Sequence, residues 1–133
     1  MKKIAILLLV VTSLLSSCKK ENVNPLEDPT NPTSYIYNNW QLIQRETVEG
    51  GNTTEIFTYP STQTTNWDIK RGEVCKEDVV AHLTDCNPAT ITTNTLSIPF
   101  LMENYIIVEL KEKNLELQRN ISSNTVVYYR FVR

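Results

Sequence analysis

Glycine and histidine are scarce in this chain of 133 residues, which contains three glycines and one histidine. Three glycines are too few for the glycine-rich loop that cradles phosphate groups in nucleotide-binding proteins. His82 has no serine or cysteine in a nucleophile context near it. Adjacent acids such as Glu77 and Asp78 would point to opposite faces of a strand and could not share a substrate. We therefore expect no enzyme activity and no cofactor.

The chain also lacks an apolar run of roughly 20 residues, the length that a membrane-spanning helix needs. Residues 4–15 are apolar except for Thr12 and Ser13, follow two lysines and precede two serines. This order of charged, apolar and small residues predicts a secretory signal peptide. Residues 15–18, Leu-Ser-Ser-Cys, resemble a bacterial lipobox, where a peptidase cuts before a lipidated cysteine. We expect removal of residues 1–17 and a stable anchor of several acyl chains, such as palmitate, on Cys18.

Positive charge is in short supply once the signal peptide is removed. Two of the 13 basic residues, Lys2 and Lys3, lie within it, so 11 remain against 15 acidic residues, a net charge of −4. A mildly acidic protein with scattered charges is a poor nucleic-acid binder. Its expected partner is the outer membrane of the bacterial envelope, and the sequence leaves open whether it faces the periplasm or the cell surface.

The segment after the cleavage site has almost nothing to bury. Residues 18–34 contain three prolines and much Asn, Asp, Glu and Thr, which predicts an extended tether. Residues 35–133 alternate apolar and polar side chains, are rich in Thr, Ile, Val and Tyr, and show no sustained helical period. We predict one all-β domain, a sandwich or a small up-and-down antiparallel barrel of about eight strands. The predicted strands comprise one around Trp40 and those at residues 53–59, 64–71, 79–83, 89–98, 105–111, 115–121 and 126–133, with a turn at 85–88.

Cysteine is scarce as well, and lipidation of Cys18 would leave Cys75 and Cys86. Two thiols in an oxidising compartment favour a disulfide, which would close a loop of about 12 residues and stabilise the fold by about 3 kcal/mol. Alternatively, Cys75, Asp78, His82 and Cys86 could in principle bind zinc, although their spacing matches no common zinc pattern. We predict the disulfide and no metal site.

Three stretches resemble the lipocalin-like lipoproteins of Bacteroidota: "NNWQLIQ" (38–44), "VCKEDVV" (74–80) and "LKEKNLELQRNISSNTVVYYRFVR" (110–133). That family is similar to the lipocalin superfamily, whose first strand carries Gly-x-Trp and whose last strand ends in Arg. The resemblance implies that Trp40 closes one end of a barrel and that Arg133 stacks on its ring. Asn38 stands where the superfamily has glycine. The resemblance also implies that the cysteine partnered with Cys75 lies a little downstream, where Cys86 is found.

The resemblance implies a barrel that binds a small apolar or amphipathic ligand. From the alternation of side chains, the candidate ligand-lining residues are Trp67, Ile106, Val108, Leu117 and Tyr129. The alternative is a closed barrel without a ligand, which would act as a protein-interaction or envelope-assembly module. A binder needs an internal void of a few hundred Å³, whereas an interaction module would combine a packed interior with an exposed apolar patch.

Overall fold

The computed structural model describes residues 32–63 and 65–133, and it is nearly all β. Cys18, the predicted signal peptide and nearly all of the tether lie outside these residues. Within them, no helix is long and apolar enough to cross a membrane. Two short 3₁₀ turns, Pro32–Ile36 and Pro99–Leu101, accompany the strands. The strands are β1 (Asn39–Glu49), β2 (Asn52–Thr58), β3 (Thr65–Lys70), β4 (Glu73–Asp78), β5 (Leu83–Pro88), β6 (Thr90–Ile91), β7 (Thr95–Ile98), β8 (Glu103–Leu110), β9 (Asn114–Asn120) and β10 (Thr125–Val132).

The strands form one antiparallel sheet in the order β5-β4-β3-β1-β10-β9-β8-β7-β6. The last strand returns to pair with the first, from Gln41 opposite Val132 to Glu49 opposite Thr125. The sheet therefore curls into a nearly closed barrel. Tight turns are sufficient to connect neighbouring strands, because antiparallel neighbours need no crossover connection. The predicted all-β, up-and-down antiparallel barrel is confirmed, and its shape is consistent with a lipocalin-like barrel.

The barrel has nine strands in its path, and β2 lies off that path. Two strands share the same side of β1: Trp40 lies opposite Trp67 of β3, and Arg45 lies opposite Phe57 of β2. Strand β2 is exposed along its whole length. The predicted strand at residues 89–98 is divided into β6 and β7. Two features raise the number of strands above the predicted eight: the division of residues 89–98 and the unpredicted β4. The position of β2 off the path lowers the number of strands within the barrel by one.

The strand predicted at residues 79–83 and the turn predicted at 85–88 are wrong. Asp78 accepts hydrogen bonds from the backbone N–H groups of Val80 and Ala81, each at 2.9 Å, which makes residues 79–82 the turn. Strand β5 then pairs with β4 across residues 83–88. Its terminal Pro88 is compatible with a strand because β5 is at the end of the sheet, where a missing N–H donor costs little.

A β-bulge in β1 changes which side chains face inward. Strict alternation from Trp40 and Leu42 would place Gln44 on the same face as these residues and Arg45 on the opposite face. The register shifts between Leu42 and Gln44, so Gln44 lies opposite Arg130 and Arg45 lies opposite Tyr129. An extra residue in one strand shifts the alternation of all residues after it. This expectation is therefore wrong beyond Leu42, and Arg45 faces inward.

The barrel interior is filled by one cluster of large apolar side chains. Trp40 is fully buried, and its indole N–H donates to the backbone oxygen of Ile36 at 2.9 Å, which ties the first 3₁₀ turn across one end of the barrel. Burial of these apolar side chains is the main stabilising contribution to the fold. The cluster comprises Ile36, Trp40, Leu42, Trp67, Ile69, Val74, Ala89, Leu96, Ile98, Tyr105, Leu115, Leu117 and Phe131.

Candidate ligand-binding site

Charged and aromatic side chains gather above the buried core, at the end of the barrel away from Arg133. The strand registers bring them together: Lys76 lies opposite Trp67, and Tyr129 lies opposite both Arg45 and Leu117. Because directly opposed residues share a face of the sheet, these side chains all point inward. We call this group the mouth cluster, and it consists of Arg45, Trp67, Lys76, Glu103, Tyr105, Arg119 and Tyr129.

Three aromatic rings form the floor of the mouth cluster. The ring centroid of Trp67 lies 5.5 Å from that of Tyr105 and 6.2 Å from that of Tyr129. Tyr105 and Tyr129 are 5.7 Å apart and meet edge to face. Phe131 packs 5.0 Å from Trp67. These separations are the favourable ones for aromatic pairs, so the floor is a rigid layer that joins the mouth to the core.

Glu103 is the centre of the charged layer above this floor. Its carboxylate accepts hydrogen bonds from Lys76 at 2.5 Å, from the Tyr105 hydroxyl at 2.8 Å and from Arg119 at 3.2 Å. Burial alone would raise the pKa of Glu103. The bonds from Lys76 and Tyr105 and the charges of Lys76 and Arg119 outweigh burial, so the pKa lies below its ordinary value. Glu103 is therefore ionised at neutral pH.

The cations of the mouth cluster also contact the aromatic floor. The ammonium of Lys76 lies 4.2 Å from the centre of the Trp67 ring, within the range of a cation–π contact. Arg119 lies 5.9 Å from the centre of the Tyr105 ring. Burial raises the pKa of Tyr129, although the charge of Arg119 and a hydrogen bond with it act in the opposite direction. The phenol groups therefore stay neutral and can act as hydrogen-bond donors.

Arg45 is held less completely than the other cations. Its guanidinium bonds to Glu55 at 3.1 Å, with both side chains substantially exposed. Its Nε atom, in contrast, is buried and has no hydrogen-bond partner within the part of the chain that the structure describes. A buried donor without a partner carries a desolvation cost. The mouth therefore contains an unsatisfied donor next to its charged layer.

Three of the five candidate ligand-lining residues lie inside the barrel. Trp67 and Leu117 are buried, and Tyr129 is partly buried against the core. The inward orientation predicted for Ile106 and Val108 is wrong, since these side chains are 42% and 49% exposed. On β8 the inward residues are Glu103, Tyr105 and Ile107, and a bulge between Ile107 and Glu109 then turns Leu110 inward.

Sequence reasoning missed Arg45, Lys76, Glu103, Tyr105 and Arg119. Four of the five carry a charge, and a strand pattern assigns charged residues to the solvent face by default. One signal was present: Tyr105 shares its alternation with Glu103, so identifying Tyr105 as buried would also have turned Glu103 inward.

The opposite end of the barrel holds the predicted closure residues. The guanidinium carbon of Arg133 lies 5.9 Å from the centre of the Trp40 ring and 5.8 Å from that of Tyr35. These distances are at the limit of a cation–π contact. Arg133 also donates its backbone N–H to the oxygen of Lys113 at 3.3 Å. The chain terminus is thus fastened across the closed end.

The predicted disulfide is confirmed. Cys75 and Cys86 lie directly opposite each other on β4 and β5, with an S–S distance of 2.05 Å. The zinc cluster considered as an alternative would need free thiolates, and both sulfurs are bonded to each other. His82 is exposed in the turn between these strands, where it has a positive φ of 53°.

Within residues 32–63 and 65–133, two of the shallow depressions in the surface lie on the outer face of the barrel. One, of about 280 Å³, is next to the disulfide, between Asn66, Asp68 and Thr84. The other, of about 380 Å³, is on β7, β8 and β9, around Ser97 and Ile106.

Comparisons of the chain with protein-family models, with curated proteins and with solved structures find no match.

Proposed function

We propose that this chain is a lipid-anchored, non-enzymatic binding protein of the bacterial envelope, with a lipocalin-like barrel that holds a small amphipathic ligand in its mouth. The observation that carries the proposal is the mouth cluster. There an aromatic layer and a charged layer meet on an inward-facing surface, and Lys76, Glu103 and Arg119 keep 20%, 16% and 26% of their side chains exposed. Ligand sites combine apolar walls with a few convergent polar groups in this way.

The packed core leaves no room for a ligand deep in the barrel, so the proposed ligand is confined to the mouth. Trp40, Leu96, Leu117 and Phe131 are almost completely buried within one contiguous cluster. Small barrels of this kind often fill their interior with side chains. Trp67 and Tyr105 are 3% and 2% exposed, so a ligand would contact the partly buried Tyr129 and the charged layer above it. Such a ligand would be small.

The membrane anchor is supported by the sequence around Cys18, which lies outside the described residues. A cysteine that follows Leu15, Ser16 and Ser17 behind an apolar segment fits a lipid attachment site. We expect Cys18→Ser to move the protein from the membrane fraction to the soluble fraction. Unchanged sedimentation of the variant with membranes would contradict the anchor without bearing on the mouth.

A matched pair of variants tests the proposed ligand site. Tyr129 faces the mouth, whereas the adjacent Tyr128 lies opposite Glu46 on the outer face. Native mass spectrometry of protein purified from its own host should detect a bound small molecule in the wild type and in Tyr128→Ala. The molecule should be absent from Tyr129→Ala. Absence from all three, or equal occupancy in all three, would count against a ligand in the mouth.

A second candidate function is the protein-interaction module, and exposed apolar side chains favour it. Ile106 and Val108 of β8 are 42% and 49% exposed, and Ile56 of β2 is 59% exposed, while the interior is packed. Exposed apolar surface of this kind can mark a protein contact. A photo-crosslinking residue at position 108 should then capture one discrete partner in intact cells. The same residue at the exposed position 70 should not, and equal capture at both positions would reject this candidate.

A further inference from the structure

We infer that the ligand in the mouth carries an anionic group, a carboxylate, phosphate or sulfate, and that Arg45, Lys76 and Arg119 select it. This inference rests on the proposed function and names its ligand class. It follows from the balance of charge in the mouth cluster, where Lys76 and Arg119 share the one carboxylate of Glu103 and, within the described part of the chain, Arg45 pairs only with the exposed Glu55.

The cations have more donors than the cluster uses. Lys76 has three N–H donors and Arg119 has five. Glu103 accepts one bond from each of them, at 2.5 and 3.2 Å. Donors therefore remain on partly buried cations, where attraction to an anion is stronger than at a fully exposed site.

Arg45 supplies the independent observation. Its Nε is buried and has no partner among residues 32–63 and 65–133, and its strand position is directly opposite Tyr129. A ligand oxygen that accepts from this atom would remove the cost of an unpaired buried donor. An arginine fork is suited to carboxylate and phosphate oxygens. The unpaired donor thus favours an acceptor-rich anionic group.

Exposed acids at the edge of the mouth do not reverse this preference. Glu55 bonds to Arg45, and its side chain is 54% exposed. Asp85 lies opposite Lys76 and is exposed, and Asp78 is exposed and uses its carboxylate on the backbone of the next turn. Water and salt screen such charges strongly. The more deeply buried cations therefore dominate the field at the floor.

The protein offers an apolar surface for the rest of the ligand close to the same cations. Phe57 of β2 lies opposite Arg45 and so shares its face, and it is 45% exposed. It packs edge to face against Tyr59 at 4.7 Å. An amphipathic molecule could place its anionic group between Arg45 and Arg119 and its apolar part across Tyr129 and Phe57. The packed core below the aromatic floor restricts the apolar part to this surface.

The test compares probes that share one chain and differ in their polar group. Decanoate, decanol and decyltrimethylammonium would be titrated calorimetrically against the mature chain carrying Cys18→Ser, which keeps the full barrel and lacks the anchor. We expect decanoate to bind at least about tenfold more tightly than decanol, equivalent to about 1.4 kcal/mol, and the ammonium probe not to bind. Decyl phosphate and decyl sulfate then distinguish among the anions, and acetate and inorganic phosphate serve as anions without a chain.

Variants connect the preference to the cluster. Arg119→Gln should reduce decanoate affinity by about tenfold and leave decanol affinity unchanged. Lys70→Gln removes an exposed cation that pairs with Asp68, and it should change neither affinity. The melting temperature of each variant would show that the barrel remains folded.

The outcomes separate this inference from the proposed function. Equal binding of all three decyl probes, or tighter binding of the ammonium probe, would overturn anion selection while leaving a ligand site in the mouth. No binding of any decyl probe would overturn both. Binding of acetate or inorganic phosphate as tightly as decanoate would show that the apolar contact contributes nothing, which contradicts the amphipathic ligand.

Discussion

Replacing Glu103 with glutamine keeps the size of the side chain and removes the carboxylate from the mouth cluster. The wild-type carboxylate accepts hydrogen bonds from Lys76, Tyr105 and Arg119. In the variant, two partly buried cations lose their counter-charge and face each other across a neutral amide. We therefore expect Glu103→Gln to lower the free energy of unfolding.

The expected loss is about 2 kcal/mol. Hydrogen bonds to charged groups contribute roughly 1.5–3 kcal/mol each, and loss of one partner of a deeply buried ion pair costs roughly 3–5 kcal/mol. The lower end applies here because Lys76 and Arg119 keep 20% and 26% of their side chains exposed, and water partly replaces the lost contacts. The amide oxygen also retains some acceptor capacity. A loss of this size is a large part of the stability of a small domain.

The loss should depend on pH in a defined direction. The pKa of Glu103 is lower in the folded protein than its ordinary value of 4.5. Its contribution to stability is therefore complete above about pH 4.5 and disappears as the pH falls through the folded-state pKa. Below the folded-state pKa, wild type and Glu103→Gln should converge in stability.

Urea unfolding monitored by tryptophan fluorescence measures this difference at neutral and acidic pH. Glu109→Gln is the matched control, since Glu109 lies on the same strand and pairs with Lys111 in an exposed contact. It should change stability by no more than about 0.5 kcal/mol. A Glu103→Gln loss that is the same at both pH values, or no larger than the control, would refute the idea that this carboxylate charge stabilises the mouth. The variant should also bind decanoate more tightly, because the competing anion is gone.

Three further predictions concern the barrel itself. Changing Cys75 and Cys86 together to serine should lower the free energy of unfolding by about 3 kcal/mol, because the disulfide spans a sequence separation of 11. Thiol labelling of the unreduced wild type at either position would contradict the disulfide. Leu117→Ala should lower the free energy of unfolding by about 2–5 kcal/mol and Ile106→Ala by less than about 1 kcal/mol, since Leu117 is fully buried and Ile106 is 42% exposed. Equal urea midpoints of the two variants would contradict the inward position of Leu117 and the outward position of Ile106. Gly51→Ala should cost about 1–2 kcal/mol, measured by thermal unfolding, because Gly51 has a φ of 83° in the β1–β2 turn; an unchanged melting temperature would contradict this.

Features that depend on nearby residues could be predicted well from the sequence. The hairpin of β9 and β10 was predicted within one residue at each end, because alternation and turn residues are local signals. The pairing of Cys75 with Cys86 followed from cysteine arithmetic together with the expectation of an oxidising compartment. The Gly50–Gly51 pair between β1 and β2 is likewise a local turn signal, and both glycines have a positive φ.

The mouth cluster could not be predicted because it depends on register. Alternation divides a strand into two faces and does not say which face is inside. The inward face of β8 was assigned to Ile106 and Val108, whereas packing of Tyr105 against Trp67 places the other face inside. One bulge near Ile43 similarly moved Arg45 to the inside.

The sequence by itself determined that this is a small, β-rich domain with an export signal pattern, one cysteine pair and no glycine-rich phosphate loop. These properties follow from composition and from neighbours along the chain. Only the tertiary structure decided that β2 leaves the barrel and that Lys76, Glu103 and Arg119 meet above an aromatic floor. The physical reason is that these residues come from strands far apart in the chain. Closure of the barrel brings their charges close enough to compensate one another.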